Sequence, residues 1–305
     1  MQHIRIGTRK SQLALWQANY VKELLEKQGV SCELVPITSD GEKETTLPIY
    51  EIGVTGVFTR TLDIALLENK IDIAVHSLKD VPTKTPVGIH ISAVPERGNH
   101  KDVIVSKSPQ NWEAIDATIA TSSIRRKAQW AYEYRNHSFQ NIRGNINTRL
   151  QKLLENDHWH GVVFAAAGIE RINLSVPYLE TLDWMLPAPA QGALGIASRI
   201  DDRTTNALCS QINHEHASIA TKIERQFLSE LMGGCATPIA AFAEVKGQEI
   251  HFKANILSLG PNPQKKELIK TYTLGQANDI GKRAAEEILL NGGEEIIQEI
   301  RRTIG

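Results

Sequence analysis

Apolar and polar positions alternate along the chain in a strand and helix rhythm that begins at its first residues. Ile4 to Gly7 is a short apolar run, and apolar positions from Leu13 to Leu25 then recur at helical spacing. Thr8 and Ser11 are candidate N-caps for that helix. Cys32 to Ile37 is a second apolar run. The pattern predicts a strand, a helix and a second strand.

A loop and a buried strand come next. Residues 39–56 are polar, contain several glycines and have little periodicity, which predicts a mobile loop. Phe58 to Leu67 has helical spacing, and Ile71 to Val75 is typical of a strand buried on both faces. The polar stretch His76 to Asp80 follows directly. Polar residues at the carboxyl end of such a strand indicate a site.

The same pattern recurs in the middle of the chain and predicts a second α/β unit. Its predicted strands are Val103 to Val105, Thr118 to Ala120, Ser138 to Ile142 and Gly161 to Ala166. Pro187 to Gly192 breaks the pattern as a crossover, and we expect Ala193 to Ser198 to return to the first unit. Two α/β units with polar strand ends predict a cleft between them.

The last third of the chain changes character. Ile219 to Leu231 is an amphipathic helix, and a helix is also predicted over Asp279 to Leu290. The segments Ala240 to Val245, Glu249 to Leu257 and Lys270 to Leu274 alternate like strands of an open antiparallel sheet. This end of the chain therefore predicts a small α+β domain.

Composition narrows the classes of function. The chain has 305 residues, 34 Lys and Arg, 35 Asp and Glu, and a formal net charge of -1, so no global field draws it to nucleic acid or to an anionic membrane. Apolar runs such as Val162 to Ala167 are too short to cross a bilayer, and Met1 to Lys10 has no apolar signal core, so we expect a cytoplasmic protein. The three cysteines are widely spaced without a CxxC, which argues against a disulfide framework and against a zinc site, and no metal is expected.

Arginines beside small polar residues are the first sign of chemistry. They follow predicted strands, at positions that converge in an open α/β sheet: Arg9, Arg125, Arg126, Arg143 and Arg149. Guanidinium groups and helix N-termini bind carboxylates and phosphates. The set therefore predicts a polyanionic small molecule as ligand, although any one arginine taken alone is more often an ordinary surface residue.

Two further positions carry candidate chemistry. Asp80 is held at a strand end between Lys79 and a nearby Pro82; it suits stabilisation of a cation or binding of an N–H group, or it forms a capping pair with Lys79. Cys235 follows two glycines and either projects from a loop tip into a cleft or is a small buried residue. Cys32 and Cys209 lie in apolar patterns and are expected in the core.

Several blocks, in order along the chain, resemble one known family. They are Ile6-Gly7-Thr8-Arg9-Lys10-Ser11 with Leu13-Ala14-Leu15-Trp16-Gln17, Ala74-Val75-His76-Ser77-Leu78-Lys79-Asp80-Val81-Pro82, Thr121-Ser122-Ser123-Ile124-Arg125-Arg126, Arg143-Gly144-Asn145 with Thr148-Arg149-Leu150, Leu186-Pro187 with Gln191-Gly192-Ala193, and Gly233-Gly234-Cys235. The chain closely resembles the porphobilinogen deaminases, also called hydroxymethylbilane synthases.

The resemblance implies a fold and a reaction. The fold is α/β, with two domains like those of type II periplasmic binding proteins flanking a cleft, plus a small C-terminal α+β domain. We expect domain 1 over residues 1–95 with 193–213, domain 2 over 100–188 and domain 3 over 216–305. The implied reaction joins four porphobilinogen molecules head to tail into hydroxymethylbilane with release of ammonia, in tetrapyrrole and heme biosynthesis, and the family resemblance favours a monomer.

The resemblance also implies a covalent dipyrromethane cofactor, attached to Cys235 through a thioether. Asp80 matches the catalytic aspartate. The positions that match cofactor-binding groups are Lys79, Asp80, Ser123, Arg125 and Arg126. The positions that match substrate-binding groups are Arg9, Ser11, Gln17, Phe58, Ser77, Arg143, Arg149, Arg171 and Gln191.

Two segments depart from the family pattern, and one alternative function stays open. The stretch Gly53 to Phe58 lacks the basic residue that many members carry after the loop, and Glu96 to Asp102 lacks the acidic, proline-containing hinge. We expect weaker lid contacts to substrate carboxylates and altered hinge motion. A noncatalytic solute-binding or sensor module for a polycarboxylate would use the same arginines, but it would need neither Asp80 nor Cys235.

Overall fold

The first part of the chain alternates strands and helices. The computed structural model describes residues 3–37, 59–231, 237–260 and 262–304. Its first elements are β1 His3–Thr8, α1 Gln12–Glu26, β2 Ser31–Pro36, α2 Arg60–Leu67, β3 Ile73–Ser77 and β4 Ile89–Ala93. Strand β3 ends two residues later than predicted, so that His76 and Ser77 belong to it. The predicted loop over 39–56 lies outside the described residues.

The N-cap of α1 is Ser11, which is one of the two predicted candidates. The Ala14 backbone N–H donates to the Ser11 hydroxyl over 3.3 Å. The prediction of Thr8 as a cap is wrong, because Thr8 is buried and its hydroxyl donates to the backbone carbonyl of Ala14 over 3.0 Å. Thr8 therefore fastens the end of β1 to the first turn of the helix.

The middle of the chain repeats the alternation. Its elements are β5 Asp102–Ser106, β6 Thr118–Ala120, α3 Ile124–Glu133, β7 Ser138–Gln140, α4 Ile146–Glu155, β8 Gly161–Ala165, α5 Ala166–Arg171 and β9 Tyr178–Thr181. The four predicted strands are all present. Strands β4 and β9 were not predicted: the alternation of apolar and polar residues in β4 is a strand signal that was not used, and the short β9 has no buried residue.

Strand β10, Leu194–Arg199, returns to the first sheet as predicted. That sheet has the order β2-β1-β3-β10-β4, with β1 parallel to its neighbours and β10 antiparallel to β3 and β4. The second sheet has the order β7-β6-β8-β5-β9, with β5 antiparallel to β8 and β9. Each sheet thus receives one antiparallel strand directly after the chain has crossed over from the other sheet.

The last third forms a helix-covered antiparallel sheet. Its elements, after α6 Arg203–Ser210, are α7 Glu215–Leu231, β11 Ile239–Lys246, β12 Glu249–Leu257, β13 Lys265–Thr273, α8 Ile280–Ile288 and α9 Glu294–Ile304. The three predicted strands form one sheet in chain order. The helix predicted to Leu290 ends at Ile288, and α9 was missed, because Gly292 at φ +88° breaks the pattern between the two helices.

The predicted fold class is confirmed, with two α/β sheets and a small C-terminal α+β unit. Both α/β sheets are covered by apolar residues on both faces; in β3, Ile73 and Val75 face one cluster and Ala74 the other. Cys32 and Cys209 lie in the core, as predicted. The domain boundaries given above stay a prediction.

One buried carboxylate holds the two crossover connections against the C-terminal unit. The first crossover, residues 94–101, joins β4 to β5, and the second, residues 182–193, joins β9 to β10. Glu224 on α7 is fully buried and accepts hydrogen bonds from Arg97 Nη1 at 2.6 Å and Nη2 at 3.1 Å. It also accepts from the backbone N–H groups of Ala190 at 2.6 Å and Ala243 at 2.7 Å. A carboxylate removed from water needs such partners, so this arrangement fixes three chain segments together.

The crossovers also meet each other directly. The Gly98 N–H donates to the Gly192 carbonyl over 3.1 Å. Gly192 has φ +85°, and a Cβ there would lie 2.7 Å from the carbonyl oxygen of Gly98. Glycine is therefore required at position 192 both by its backbone conformation and by the close approach of the first crossover.

We expect Glu224→Gln to lower the free energy of the first unfolding transition in urea by about 3 kcal/mol, because the amide leaves Arg97 without a counter-charge and turns an NH₂ group toward a backbone donor. The matched control is Glu230→Gln at an exposed position of α7, which should change it by less than about 0.5 kcal/mol. Equal effects of the two substitutions would show that the Glu224 arrangement does not stabilise the fold.

Candidate active site

Lys79 and Asp80 lie in a single 3₁₀ turn, Leu78–Asp80, that follows β3. Leu78 is buried and anchors the turn in the core. Arg225 of α7 holds the chain just beyond it, donating to the carbonyls of Val81 at 2.7 Å and of the following proline at 2.6 Å. The turn therefore presents Lys79 half-buried and Asp80 exposed from a backbone that a second unit keeps in place.

The Lys79 ammonium is in an unusual environment for a lysine. Its Nζ donates to Gln191 Oε1 over 3.1 Å. Burial lowers the pKa of Lys79 to about 8, against the opposing effect of Asp80. Lys79 is therefore charged at neutral pH and loses its charge in mildly alkaline solution.

The N-terminus of α3 carries the next group of predicted residues. Ser123 is its N-cap, and its hydroxyl accepts from the Arg126 N–H over 3.4 Å. Arg125 and Arg126 are both buried and both pair with Asp102: Arg125 Nη1 lies 2.8 Å from Oδ2, and Arg126 donates from Nε and Nη2 to Oδ1 over 2.9 and 2.7 Å. One carboxylate thus positions both guanidinium groups.

Sequence reasoning missed Asp102. Burial alone raises the pKa of this carboxyl, but Arg125 and Arg126 overcome that effect and hold the pKa well below its usual range. The available signal was an acid at the first position of an otherwise apolar strand, since such an acid is buried only with a partner. Arg126 also donates to the carbonyl of Val163 over 2.8 Å, so much of its donor capacity serves the fold.

Arg143 and Arg149 lie at the start of α4. Asn145 is the N-cap of that helix, and Arg149 Nε donates to the carbonyl of Gly144 over 2.8 Å. Burial lowers the pKa of Arg149 to about 10, and Arg126 acts in the same direction while Asp80 opposes it. The charge of Asp80, in the turn after β3, therefore acts on Arg149 of α4.

The first sheet contributes polar side chains that are hydrogen-bonded to one another. Gln17 Nε2 donates to the Ser77 hydroxyl over 2.9 Å. Arg9 is half-buried, and its charge, after burial, helps to lower the pKa of His76 to about 4. His76 is therefore neutral and packed within β3.

Arg171 at the end of α5 bridges toward the first unit. Its Nη2 donates to the Gly192 carbonyl over 2.6 Å, and its guanidinium lies 5.5 Å from the centre of the Trp16 ring. Gln191 is fully buried, with its side-chain oxygen on Lys79 and its side-chain nitrogen on the carbonyl of His100. Both atoms of its amide therefore make a hydrogen bond within the protein.

A pocket gathers part of the predicted cofactor set. It is lined by Lys79, Ser123, Arg125, Ala188, Pro189, Leu228, Thr237 and Ile239. Leu228 precedes residues 232–236 in the sequence and Thr237 follows them. The pocket is therefore lined by described residues on both sides of the segment that contains Cys235. Cys235 and Phe58 themselves fall outside the described residues.

The other predicted residues do not line this pocket. Among the described residues these are Arg9, Ser11, Gln17, Ser77, Asp80, Arg126, Arg143, Arg149, Arg171 and Gln191.

The pocket itself is lined by the ammonium of Lys79, the guanidinium of Arg125 and the hydroxyl of Ser123. These groups suit the carboxylates of an acidic organic group. The donor set therefore fits a cofactor with acidic side chains.

Comparisons with known proteins match both parts of the chain. Residues 4–207 match the family model described as "Porphobilinogen deaminase, dipyromethane cofactor binding domain", and residues 218–290 match "Porphobilinogen deaminase, C-terminal domain". The chain belongs to the porphobilinogen deaminase family. Deaminases of this name from Chlorobium phaeobacteroides (strain BS1) and Chloroherpeton thalassium are 41% and 40% identical to it, over 98% and 97% of both chains.

A more distant porphobilinogen deaminase, from Moorella thermoacetica, is 38% identical and covers all of this chain and 99% of its own. Solved structures similar to the chain include an ancestral cationic amino acid solute binding protein, with a TM-score of 0.41, 15% identity, and coverage of 69% of this chain and 88% of that one. Within the described residues of this chain, no helix is long and apolar enough to span a bilayer.

We expect Asp102→Asn to destabilise the protein at pH 7 by about 3 kcal/mol, because two buried guanidinium groups lose their counter-charge. The folded-state pKa of Asp102 is depressed, so its contribution to stability is fully present above its ordinary pKa, begins to fall as the pH drops below about 4, and is lost completely only as the pH passes the lower folded-state pKa. Urea unfolding at pH 7 and at pH 3.5 should therefore show a smaller acid-induced loss of stability in the variant than in the wild type.

The control for this prediction is Asp183→Asn, which removes an exposed carboxylate paired with Lys101. It should cost less than about 1 kcal/mol and leave the pH dependence unchanged. An Asp102→Asn variant with the acid sensitivity of the wild type would contradict the buried ion pair.

Proposed function

We propose that this chain is a hydroxymethylbilane synthase that joins four porphobilinogen molecules head to tail and releases ammonia. The observation that carries the proposal is the pocket lined by Lys79, Ser123 and Arg125 beside the chain ends that flank Cys235. The family match over both parts of the chain supports the same reaction. It also argues against a noncatalytic solute-binding or sensor module, because the family is one of enzymes.

The substrate is an acidic molecule, since every pyrrole of porphobilinogen carries two carboxylate side chains. The proposed site is rich in cations although the whole chain has a net charge of -1. Those assigned to the substrate and the growing chain are Arg9, Arg143, Arg149 and Arg171, with Ser11, Gln17, Ser77 and Phe58 as further contacts. Local excess of positive charge in a partly desolvated cleft raises the affinity for such a ligand.

The cofactor of the family is dipyrromethane. We assign its covalent attachment to Cys235 and its acidic side chains to Lys79, Ser123, Arg125 and Arg126. When bound, the group supplies the pyrrole carbon to which the first substrate is joined. The protein contributes the position of that group, through a lysine and two arginines whose own positions are fixed by Gln191 and Asp102.

Asp80 is the proposed catalytic residue. Loss of ammonia breaks the C–N bond of the substrate's aminomethyl group and leaves a positive charge spread over its pyrrole ring. The Asp80 carboxylate is exposed at the end of the 3₁₀ turn, and its charge opposes the lowering of the pKa of Arg149. A fixed carboxylate at this point stabilises the developing cation and accepts a hydrogen bond from the pyrrole N–H.

We further propose a cytoplasmic monomer that takes porphobilinogen as its small-molecule partner and binds neither nucleic acid nor membrane. The charge balance supports the absence of a nucleic-acid-binding surface, since binding to a phosphate backbone is favoured by excess basic charge. The described residues contain no group of three or more His, Cys, Asp or Glu that could hold a metal ion.

We expect Asp80→Asn to fold normally and to lose turnover by several orders of magnitude, because the neutral amide cannot stabilise the developing cation. The measurement is kcat for consumption of porphobilinogen, with Asp116→Asn as the control at an exposed position outside the site. Near-native turnover in Asp80→Asn would remove this residue from the proposed role.

We expect Cys235→Ser to lack the covalent cofactor. Intact-mass spectrometry under denaturing conditions should show an added mass of two linked pyrrole units on the wild type and on Cys209→Ala, which changes a buried core cysteine. The same mass on Cys235→Ser would contradict the assignment of the attachment residue. Absence of the mass from a wild type incubated with porphobilinogen would contradict the proposed function itself.

A further inference from the structure

Gln191 connects the turn after β3 to the first crossover. Its Oε1 accepts a hydrogen bond from Lys79 Nζ over 3.1 Å, and its Nε2 donates to the carbonyl of His100 over 2.8 Å. The side chain is fully buried. With both amide atoms engaged inside the protein, Gln191 is placed to orient another residue rather than to contact substrate.

The backbone of Gln191 is held as firmly as its side chain. Its carbonyl accepts from Arg97 Nε over 2.9 Å. On one side, Ala190 has φ +63°, an uncommon conformation for a non-glycine residue, and its N–H is bound by Glu224. On the other side, the Gly192 carbonyl accepts from Arg171. Arg97, Glu224 and Arg171, from separate parts of the chain, thus fix the backbone from which the Gln191 side chain extends.

We propose that Gln191 is a positioning residue for the reaction, whose amide oxygen holds the Lys79 ammonium in the pocket and whose amide nitrogen ties it to the first crossover at His100. The proposal rests on the proposed function in one respect, the assignment of Lys79 to the acidic cofactor. It follows that the position of Lys79 depends on the relative position of the two crossovers.

The hydrogen bond to Gln191 favours the charged form of Lys79, because a carbonyl oxygen accepts from an ammonium and a neutral amine donates more weakly. Within the described part of the chain, the other charged groups that act on Lys79 are Asp80 and Asp102, which favour its charge, and Arg125 and Arg126, which oppose it. These four are untouched by a change at position 191. A substitution there therefore isolates the contribution of the amide.

The experiment measures the pKa of Lys79 in the purified full-length protein, by trace acetylation at a series of pH values and mass spectrometry of the peptide that contains it. In Gln191→Met the labelling midpoint of Lys79 should fall by about 1 pH unit, the equivalent of one hydrogen bond to a charged group. The matched control is Gln129→Met. Gln129 is also buried and binds the second crossover through the carbonyl and N–H of Leu186, without touching Lys79.

A merely structural role would move both variants alike or neither. An unchanged Lys79 midpoint in Gln191→Met, or an equal shift in Gln129→Met, would overturn the proposal. Gln191→Glu gives a second reading if the methionine variant does not fold: a carboxylate beside the ammonium should raise the midpoint by about 1 pH unit, and no rise would overturn the proposal.

The pH dependence of kcat separates this proposal from the proposed function. If both hold, the alkaline limb of the profile shifts in the same direction as the labelling midpoint in each Gln191 variant. A shifted midpoint without a shifted limb would support the contact between Gln191 and Lys79 while contradicting the role assigned to Lys79 in binding the cofactor.

Discussion

The buried carboxylate of Glu224 is the constraint on which the rest of the arrangement depends. It is removed from water, so it persists only with its four donors in place, and those donors come from both crossovers and from β11. Its neighbour Arg225 holds the chain after the turn that carries Lys79 and Asp80. Two adjacent residues of α7 therefore set the geometry between the α/β units and the position of the proposed catalytic turn, and the same helix leads into the segment that contains Cys235.

A second buried acid extends this constraint into the pocket. Asp102 begins β5 at the end of the first crossover, and its two guanidinium partners stand at the start of α3. Gln191, in the second crossover, holds Lys79. The cations proposed to bind the acidic cofactor are thus positioned by Gln191 in the second crossover and by Asp102 at the end of the first. A displacement of either crossover would therefore move these cations. Cationic side chains are thus concentrated at the pocket, although the chain as a whole is nearly neutral.

Local pattern was enough to predict most of the fold, and the ligand expected from it stays a prediction. The return of β10, the Ser11 cap and the three-stranded sheet followed from periodicity and capping chemistry, and arginines after strand ends predicted a polyanion. The partners of the buried acids could not be predicted, because pairing between distant segments leaves no local pattern. Glu224 carried a signal that was not used: it lies on the apolar stripe of α7, one turn from Ala220 and Leu228. Strand β4 alternates apolar and polar residues, a strand signal that was not used, and β9 is short and has no buried residue.

The central claim is that the pocket lined by the turn after β3, α3, the second crossover and the described residues on either side of 232–236 holds an acidic dipyrrole positioned by Lys79 and Arg125. A crystal structure of the protein as purified, refined with the group bound, tests this most directly. The account predicts electron density continuous with the Cys235 sulfur and carboxylates within hydrogen-bond distance of Lys79 Nζ, the Ser123 hydroxyl and the Arg125 guanidinium. A covalent group attached elsewhere, or one whose carboxylates avoid these three residues, would contradict it.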